Sequence, residues 1–120
     1  MARFSAFENP AQDFITSRID LNDLLAPNQN SIYYFKAAGE CMIEGGISEG
    51  DLLVVDSSLN PEHGCIVIAV VEAEFIVRQL QLHPVVQLTP LNMKFKPTIF
   101  ANEDTLDIFG VVTFIIKSAN

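Results

Sequence analysis

The stretch GCIVIAVVEAEFIVRQLQL, residues 64–82, contains two runs of apolar and β-branched side chains, 65–71 and 74–82, with only two residues between them. Runs of this length and composition predict β-strands. Because so little chain separates the two runs, we expect the strands to pair antiparallel in one sheet. The stretch therefore indicates a β fold.

Similar runs recur along the rest of the chain. Further strands are predicted at residues 32–38, 52–56, 85–90 and 106–117. Before them, Asp20 is expected to cap a brief helix over residues 21–25, which Pro27 prevents from continuing. Closely spaced strands with little helix between them predict a mainly β fold with strongly curved antiparallel sheets and one short N-terminal helix. Residues 1–10 are expected to form a short extended arm outside a packed domain of residues 11–120.

The composition suits one cytoplasmic domain without metal or cofactor. A chain of 120 residues can bury a core of its own. The net charge of −8 opposes direct binding to nucleic acid, which rests on Lys and Arg. Cys41 and Cys65 are too few for a disulfide framework and lack the paired spacing of zinc sites, while His63 and His83 lie in predicted turns and are expected to be exposed. Neither a signal sequence nor an apolar run of roughly 20 residues is present, so no membrane association is expected.

The last predicted strand contains a run, residues 108–116, that is apolar on both faces. A strand of this kind is either central in its sheet or has its second face covered by another subunit. The sequence leaves both alternatives open.

Two segments suggest a reactive site. Cys41 lies in GECMIEGGISEGDLLVVD, residues 39–56, and Arg78 follows 37 positions later in EFIVRQL, residues 74–80. With RIDLN at 18–22, HGCIVIA at 63–69, VQLTP at 86–90 and EDTLDIFGVV at 103–112, the chain resembles the self-cleaving peptidase domain of the LexA and UmuD family over roughly residues 6–118. It is more similar to UmuD than to LexA or the phage repressors. A DNA-binding repressor is not expected, since the region before Asn30 is too short for a helix-turn-helix domain.

The resemblance implies that Cys41 and Arg78 replace the Ser and Lys of a catalytic dyad. In such a dyad a desolvated lysine is the base that activates the serine hydroxyl. A guanidinium stays protonated in proteins and cannot accept that proton. We therefore expect the site to be inactive, with the head group of Arg78 bonded to a carbonyl or a carboxylate.

Cys41 allows an alternative, because a thiol beside a guanidinium can exist partly as thiolate and attack without a base. Expulsion of an amine still requires a proton donor, and Arg is a very poor one. An acyl-enzyme or a redox-sensitive thiol is thus more plausible than a working peptidase, and an unreactive, partly buried Cys41 is the simplest expectation.

The resemblance also places the family's cleavage position in the N-terminal arm. There the family cuts a bond between a small residue and Gly, and the corresponding pair here is Ser5-Ala6, about five residues from the start of the chain. The Gly is absent. We expect this position to be vestigial and self-cleavage to be lost.

By resemblance, the chain looks like UmuD′, the cleaved form of UmuD. The resemblance implies a homodimer that joins a UmuC-like Y-family subunit in the error-prone polymerase V, acting with the RecA filament and the sliding clamp in the SOS response to DNA damage. The alternatives are a self-processing hydrolase that uses Cys41, and an inactive dimer partner that regulates an intact UmuD or LexA-like protein.

Overall fold

The computed structural model describes residues 20–120, and these begin at the predicted helix. Helix α1 spans Leu21–Leu25, and the Asp20 carboxylate accepts a hydrogen bond from the Asn22 N–H at 2.9 Å. This N-cap satisfies an amide that has no partner inside the helix. The predicted helix and its cap are confirmed, whereas the predicted arm, residues 1–10, lies outside the described residues.

Residues 20–120 contain seven strands in one sheet, in the order β1-β2-β7-β3-β4-β5-β6, with every neighbouring pair antiparallel. The mainly β class is confirmed. The strands are β1 (Ile32–Lys36), β2 (Leu52–Asp56), β3 (Ile66–Val71), β4 (Glu74–Gln81), β5 (Val86–Thr89), β6 (Thr98–Phe100) and β7 (Ile108–Ile116). All six predicted strands are present, and β6 is a seventh that the sequence did not predict.

The β3–β4 hairpin turns within the two residues that separate its strands. Val71 pairs with Glu74, and the turn residues Glu72 and Ala73 have φ values of 52° and 66°. Positive φ at both central positions is what a type I′ turn requires, and its twist matches that of the flanking strands. The hairpin therefore has the shortest common connection, although neither turn residue is the Gly or Asn usual there.

The sheet has buried residues on both faces. Ile68 of β3 belongs to one core cluster, with Met42, Leu53 and Val55, whereas its neighbours Val67 and Ala69 belong to a second cluster. Successive side chains of a strand point to opposite faces, so β3 contributes to both clusters. This accounts for the nearly unbroken apolar run in its sequence.

The apolar strand β7 is central, because it pairs with β2 on one side and β3 on the other. Gly110 lets it approach β2 closely: a Cβ at this position would lie 2.7 Å from Val55 Cγ1. The first of the two alternatives for this run is therefore confirmed. Its C-terminal end is less covered, since Phe114 and Ile116 are each 37% exposed.

Candidate functional site

Cys41 lies in the loop that joins β1 to β2. The loop is closed at its base by a hydrogen bond of 2.8 Å from the Ala37 N–H to the Asp51 carbonyl oxygen. Met42, the residue after Cys41, and Ile47 are each 2% exposed and belong to the first core cluster. The buried side chain of Met42 thus fixes the backbone immediately beside Cys41.

A second segment, residues 91–92 after β5, is hydrogen-bonded to the same loop. The Glu44 N–H donates to the Leu91 carbonyl oxygen at 2.8 Å, and Asn92 Nδ2 donates to the Glu40 carbonyl oxygen at 2.8 Å. Asn92 is buried, and a Cβ on Gly45 would overlap the Leu91 side chain. The residues on both sides of Cys41 are therefore bonded to a segment about 50 positions away.

Cys41 and Arg78 line the same cavity, which has a volume of about 280 Å³. Both residues are half-buried. The structure thus brings together the two residues that the sequence singled out, from a loop and from β4. Apolar side chains make up most of the remaining wall: Phe35, Ala37, Leu53, Ile68, Phe75 and Val77.

Arg78 bonds to the backbone rather than to a carboxylate. Its Nη1 donates to the Val77 carbonyl oxygen at 2.7 Å, one of the two partners expected from the sequence. Within residues 20–120 the one ion pair joins Lys117 to Asp51, so no carboxylate of that part of the chain neutralises Arg78. A guanidinium has five N–H donors, which leaves several without a protein partner there.

The described residues that line the cavity include no group suited to act as a general base. Of the described residues that line it, none is Asp, Glu or His. Lys36 also borders the cavity, but it is exposed to solvent, in contrast to the desolvated lysine that proton abstraction requires. A thiol that shares its cavity with a permanent cation, with no suitable base among the described lining residues, suits binding better than peptide hydrolysis.

The turn at Cys41 has backbone donors with no acceptor in the described part of the chain. The N–H groups of Cys41 and Met42 reach no acceptor among residues 20–120. Backbone N–H groups beside a nucleophile are the kind of donor that stabilises a negatively charged oxygen. The turn therefore keeps anion-binding potential whether or not the thiol reacts.

Two buried carboxylates fix the ends of β2 outside the cavity. The Lys117 ammonium, which is hydrogen-bonded to Asp51, holds the pKa of that carboxyl below 3.8, with a further bond from the Ser48 N–H at 2.8 Å. The hydroxyl and the N–H of Ser58 lower the pKa of Asp56 in the same way. Both groups are thus held as carboxylates and tie loops to the sheet.

A family model and individual relatives both match this chain over most of its length. The model of the family described as peptidase S24-like matches residues 4–113. Protein SamA of Salmonella typhimurium is 40% identical over 112 residues, covering 93% of this chain and 78% of SamA. Protein MucA of Escherichia coli is 37% identical over 116 residues, covering 94% of this chain and 79% of MucA.

The chain belongs to the peptidase S24-like family. Within that family it is UmuD-like, since SamA and MucA match it over nearly its whole length. The LexA repressor of Syntrophobacter fumaroxidans is 30% identical over 105 residues, but these cover only 50% of that repressor.

Sequence reasoning missed part of the site of this UmuD-like chain. Asn92 and Leu91 hold the Cys41 loop, yet nothing in the sequence around them indicates a contact with residues 40–45. The aromatic wall of the cavity was missed as well: the rings of Phe35 and Phe75 meet edge to face with centroids 5.2 Å apart. Such contacts depend on strand order, which the sequence alone did not provide.

The remaining sequence expectations fall outside the cavity. The predicted cleavage position, Ser5-Ala6, lies outside the described residues. His63 and His83 are exposed as predicted, and their rings stack with centroids 3.9 Å apart, while His63 Nδ1 accepts a hydrogen bond from the Leu82 N–H at 3.0 Å. No helix in residues 20–120 has both the length and the apolar character needed to cross a bilayer.

Proposed function

We propose that this UmuD-like chain takes part in SOS mutagenesis as a non-catalytic, UmuD′-like subunit of an error-prone translesion polymerase. In this role, residues 11–120 form one domain that dimerises with a second copy in the cytoplasm. The dimer associates with a UmuC-like Y-family subunit and works with the RecA filament and the sliding clamp. Its contribution is binding, and its own peptidase site is silent.

The observation that carries the proposal is the presence of Arg78 in the cavity that also contains Cys41. A guanidinium there supplies positive charge but accepts no proton, and no buried base lines the cavity within the described residues. Self-cleavage requires a base to activate the nucleophile and an acid to protonate the leaving amine. Arg78 can supply neither.

The charge of the chain supports a role carried out through partners. The net charge of −8 disfavours contact with phosphate backbones. A basic protein partner would be attracted by the same charge, and a polymerase subunit that grips DNA has such a surface. We therefore propose that the partner subunit, rather than this chain, contacts nucleic acid.

Co-purification tests the association. The chain is co-expressed with a tagged UmuC-like polymerase subunit, and an ordinary UmuD′ is treated in parallel as the positive control. We expect both to be retained with the polymerase subunit, and the double variant Cys41→Ala with Arg78→Gln to be retained as well. If ordinary UmuD′ is retained while this chain is not, the polymerase role is wrong and only the family and the fold remain.

A reactive-cysteine hydrolase is the second candidate, favoured by one observation: Cys41 and the cationic Arg78 share a cavity. A nearby cation stabilises a thiolate, and a thiolate attacks carbonyls without a base. The rate of alkylation of Cys41 against pH distinguishes the two proposals. A midpoint near the ordinary thiol value of about 8.5 or above supports the non-catalytic proposal, and a midpoint well below it supports the hydrolase.

A further inference from the structure

The cavity combines two cations, the half-buried Arg78 and the exposed Lys36, with mainly apolar walls in a protein of strong negative charge. Arg78 lines a space otherwise formed mainly by apolar side chains, among them Phe35, Leu53 and Ile68. The chain has 15 acidic residues against 7 basic ones, yet within residues 20–120 none of the acidic side chains pairs with Arg78. Placing a cation in an apolar wall is costly unless something compensates its charge.

The geometry of Arg78 favours a carboxylate as that compensating group. One Nη1 bond to the Val77 carbonyl oxygen orients the guanidinium, and its other N–H donors have no partner among residues 20–120. A guanidinium matches the two oxygens of a carboxylate in parallel hydrogen bonds, which an internal peptide carbonyl cannot form. The N–H groups of Cys41 and Met42, which have no acceptor among residues 20–120, add donors at the turn that carries Cys41.

The size and the walls of the cavity define the rest of the ligand. Its volume of about 280 Å³ lies just below the usual range for ligand sites, about 300–1,000 Å³, so only a short ligand fits. Phe75 lines the same cavity as Arg78 and remains 57% exposed. An apolar group bound there would cover this ring.

We propose that the cavity binds the carboxylate end of a short apolar ligand, with Arg78 as the carboxylate receptor and Phe75 as the apolar wall. Two sources share this chemistry: the C-terminal carboxylate of a peptide and a small aliphatic acid. In either case a guanidinium in place of a base suits the site to a carboxylate rather than to an internal peptide bond.

This inference goes beyond the polymerase role. Different experiments test the two proposals, so either one can be wrong while the other holds. Carboxylate binding requires only the cavity and Arg78. The proposed association with a polymerase subunit is not assigned to this cavity, so the Cys41→Ala and Arg78→Gln double variant is expected to keep it.

The test is a titration of the isotope-labelled chain followed by amide NMR shifts. The probes are N-acetyl-Val-Ala as the free acid, the same dipeptide as its C-terminal amide, and hexanoate. We expect the free acid to bind at least about tenfold more tightly than the amide, because charge-assisted hydrogen bonds are lost with the carboxylate. The largest shifts are expected at Val77, Arg78 and Cys41.

Variants assign the effect to Arg78. Arg78→Gln keeps a hydrogen-bonding head without the charge and should remove the difference between acid and amide. Lys94→Gln, the matched control on an exposed residue, should leave that difference unchanged. Binding of hexanoate as tightly as the dipeptide acid would identify the source as a small acid, and preference for the dipeptide would identify a peptide end.

The proposal is overturned if the unmodified chain binds acid and amide equally, or binds neither. The same holds if Arg78→Gln, with an unchanged melting temperature, keeps the preference for the acid. Because the first comparison uses the unmodified chain, a failure of Arg78→Gln to fold leaves the test valid.

Discussion

The loop that carries Cys41 and the strand that carries Arg78 face one cavity, but different forces hold them. The loop depends on particular side chains, namely the buried Met42, the amide of Asn92 and the ion pair at Asp51. Arg78 lies on β4, which pairs with β3 and β5 along its backbone. Since the hydrogen bonds of a strand ladder are formed by the backbone, Arg78 can differ from a lysine without loss of the fold. The chemistry of the cavity can therefore change while its shape persists.

The largest expected effect is on the loop side. Met42→Ala should lower the free energy of unfolding by about 2–5 kcal/mol, because it leaves a cavity in the core beside Cys41. The control is Met93→Ala, since Met93 is 91% exposed and should leave stability nearly unchanged. Urea unfolding of both variants measures the difference. Equal losses would show that the loop is not anchored by Met42.

Removal of the Asn92 amide should have the next largest effect. Asn92→Ala takes away the part-buried hydrogen bond from the buried Asn92 side chain to the Glu40 carbonyl oxygen and should cost about 1–3 kcal/mol. It should also speed hydrogen exchange at residues 40–46 more than at β4. Asn120→Ala, at the exposed C-terminus, serves as the control. Uniform acceleration of exchange across the sheet would contradict a local role for Asn92.

The ion pair at Asp51 gives the loop a dependence on pH. The pKa of the Asp51 carboxyl in the folded protein is lower than the ordinary value of 3.8. The stabilisation of the fold by this carboxylate is therefore fully present above that value and is lost as the pH falls towards the lowered pKa. Asp51→Asn should flatten the fall of the melting temperature below about pH 4. Asp107→Asn, an exposed carboxylate, provides the comparison. Identical pH profiles for Asp51→Asn and the unmodified chain would rule out this contribution.

The smallest expected effect on stability belongs to Arg78. Arg78→Gln should change the free energy of unfolding by about 1 kcal/mol or less, because the strand ladder remains and a single bond to Val77 is lost. Thermal unfolding measures it. A loss as large as that of Met42→Ala would mean that Arg78 supports the fold, and the contrast between loop and strand would fail.

The elements with strong local signals could be predicted from the sequence. Helix α1 was predicted because Asp20 and Pro27 mark its ends, and β3, β4 and β7 because their apolar runs are long. β6 was missed because Thr98–Phe100 is only three residues long and directly follows Lys96 and Pro97. Short strands are defined by their pairing partner, here β5, more than by their own composition.

The candidate site could be predicted only in part. Cys41 and Arg78 were found because the segments around them resemble a known peptidase, whereas Asn92, Phe35 and Phe75 were not found. Their roles arise from packing between segments far apart in the chain, and neither a buried amide nor an aromatic ring at such a position has a local signature. The two residues of the dyad positions were thus easier to predict than the residues that hold them in place.

The most direct test of the central claim is RecA-stimulated cleavage of a grafted N-terminal segment that carries a small-residue-Gly bond. Four forms are compared: the unmodified residues, Cys41→Ser, Arg78→Lys, and both changes together. We expect cleavage only in the double variant, because it alone restores a hydroxyl together with an amine that can act as a base. Cleavage by Cys41→Ser with Arg78 retained would contradict the claim that Arg78 silences the site.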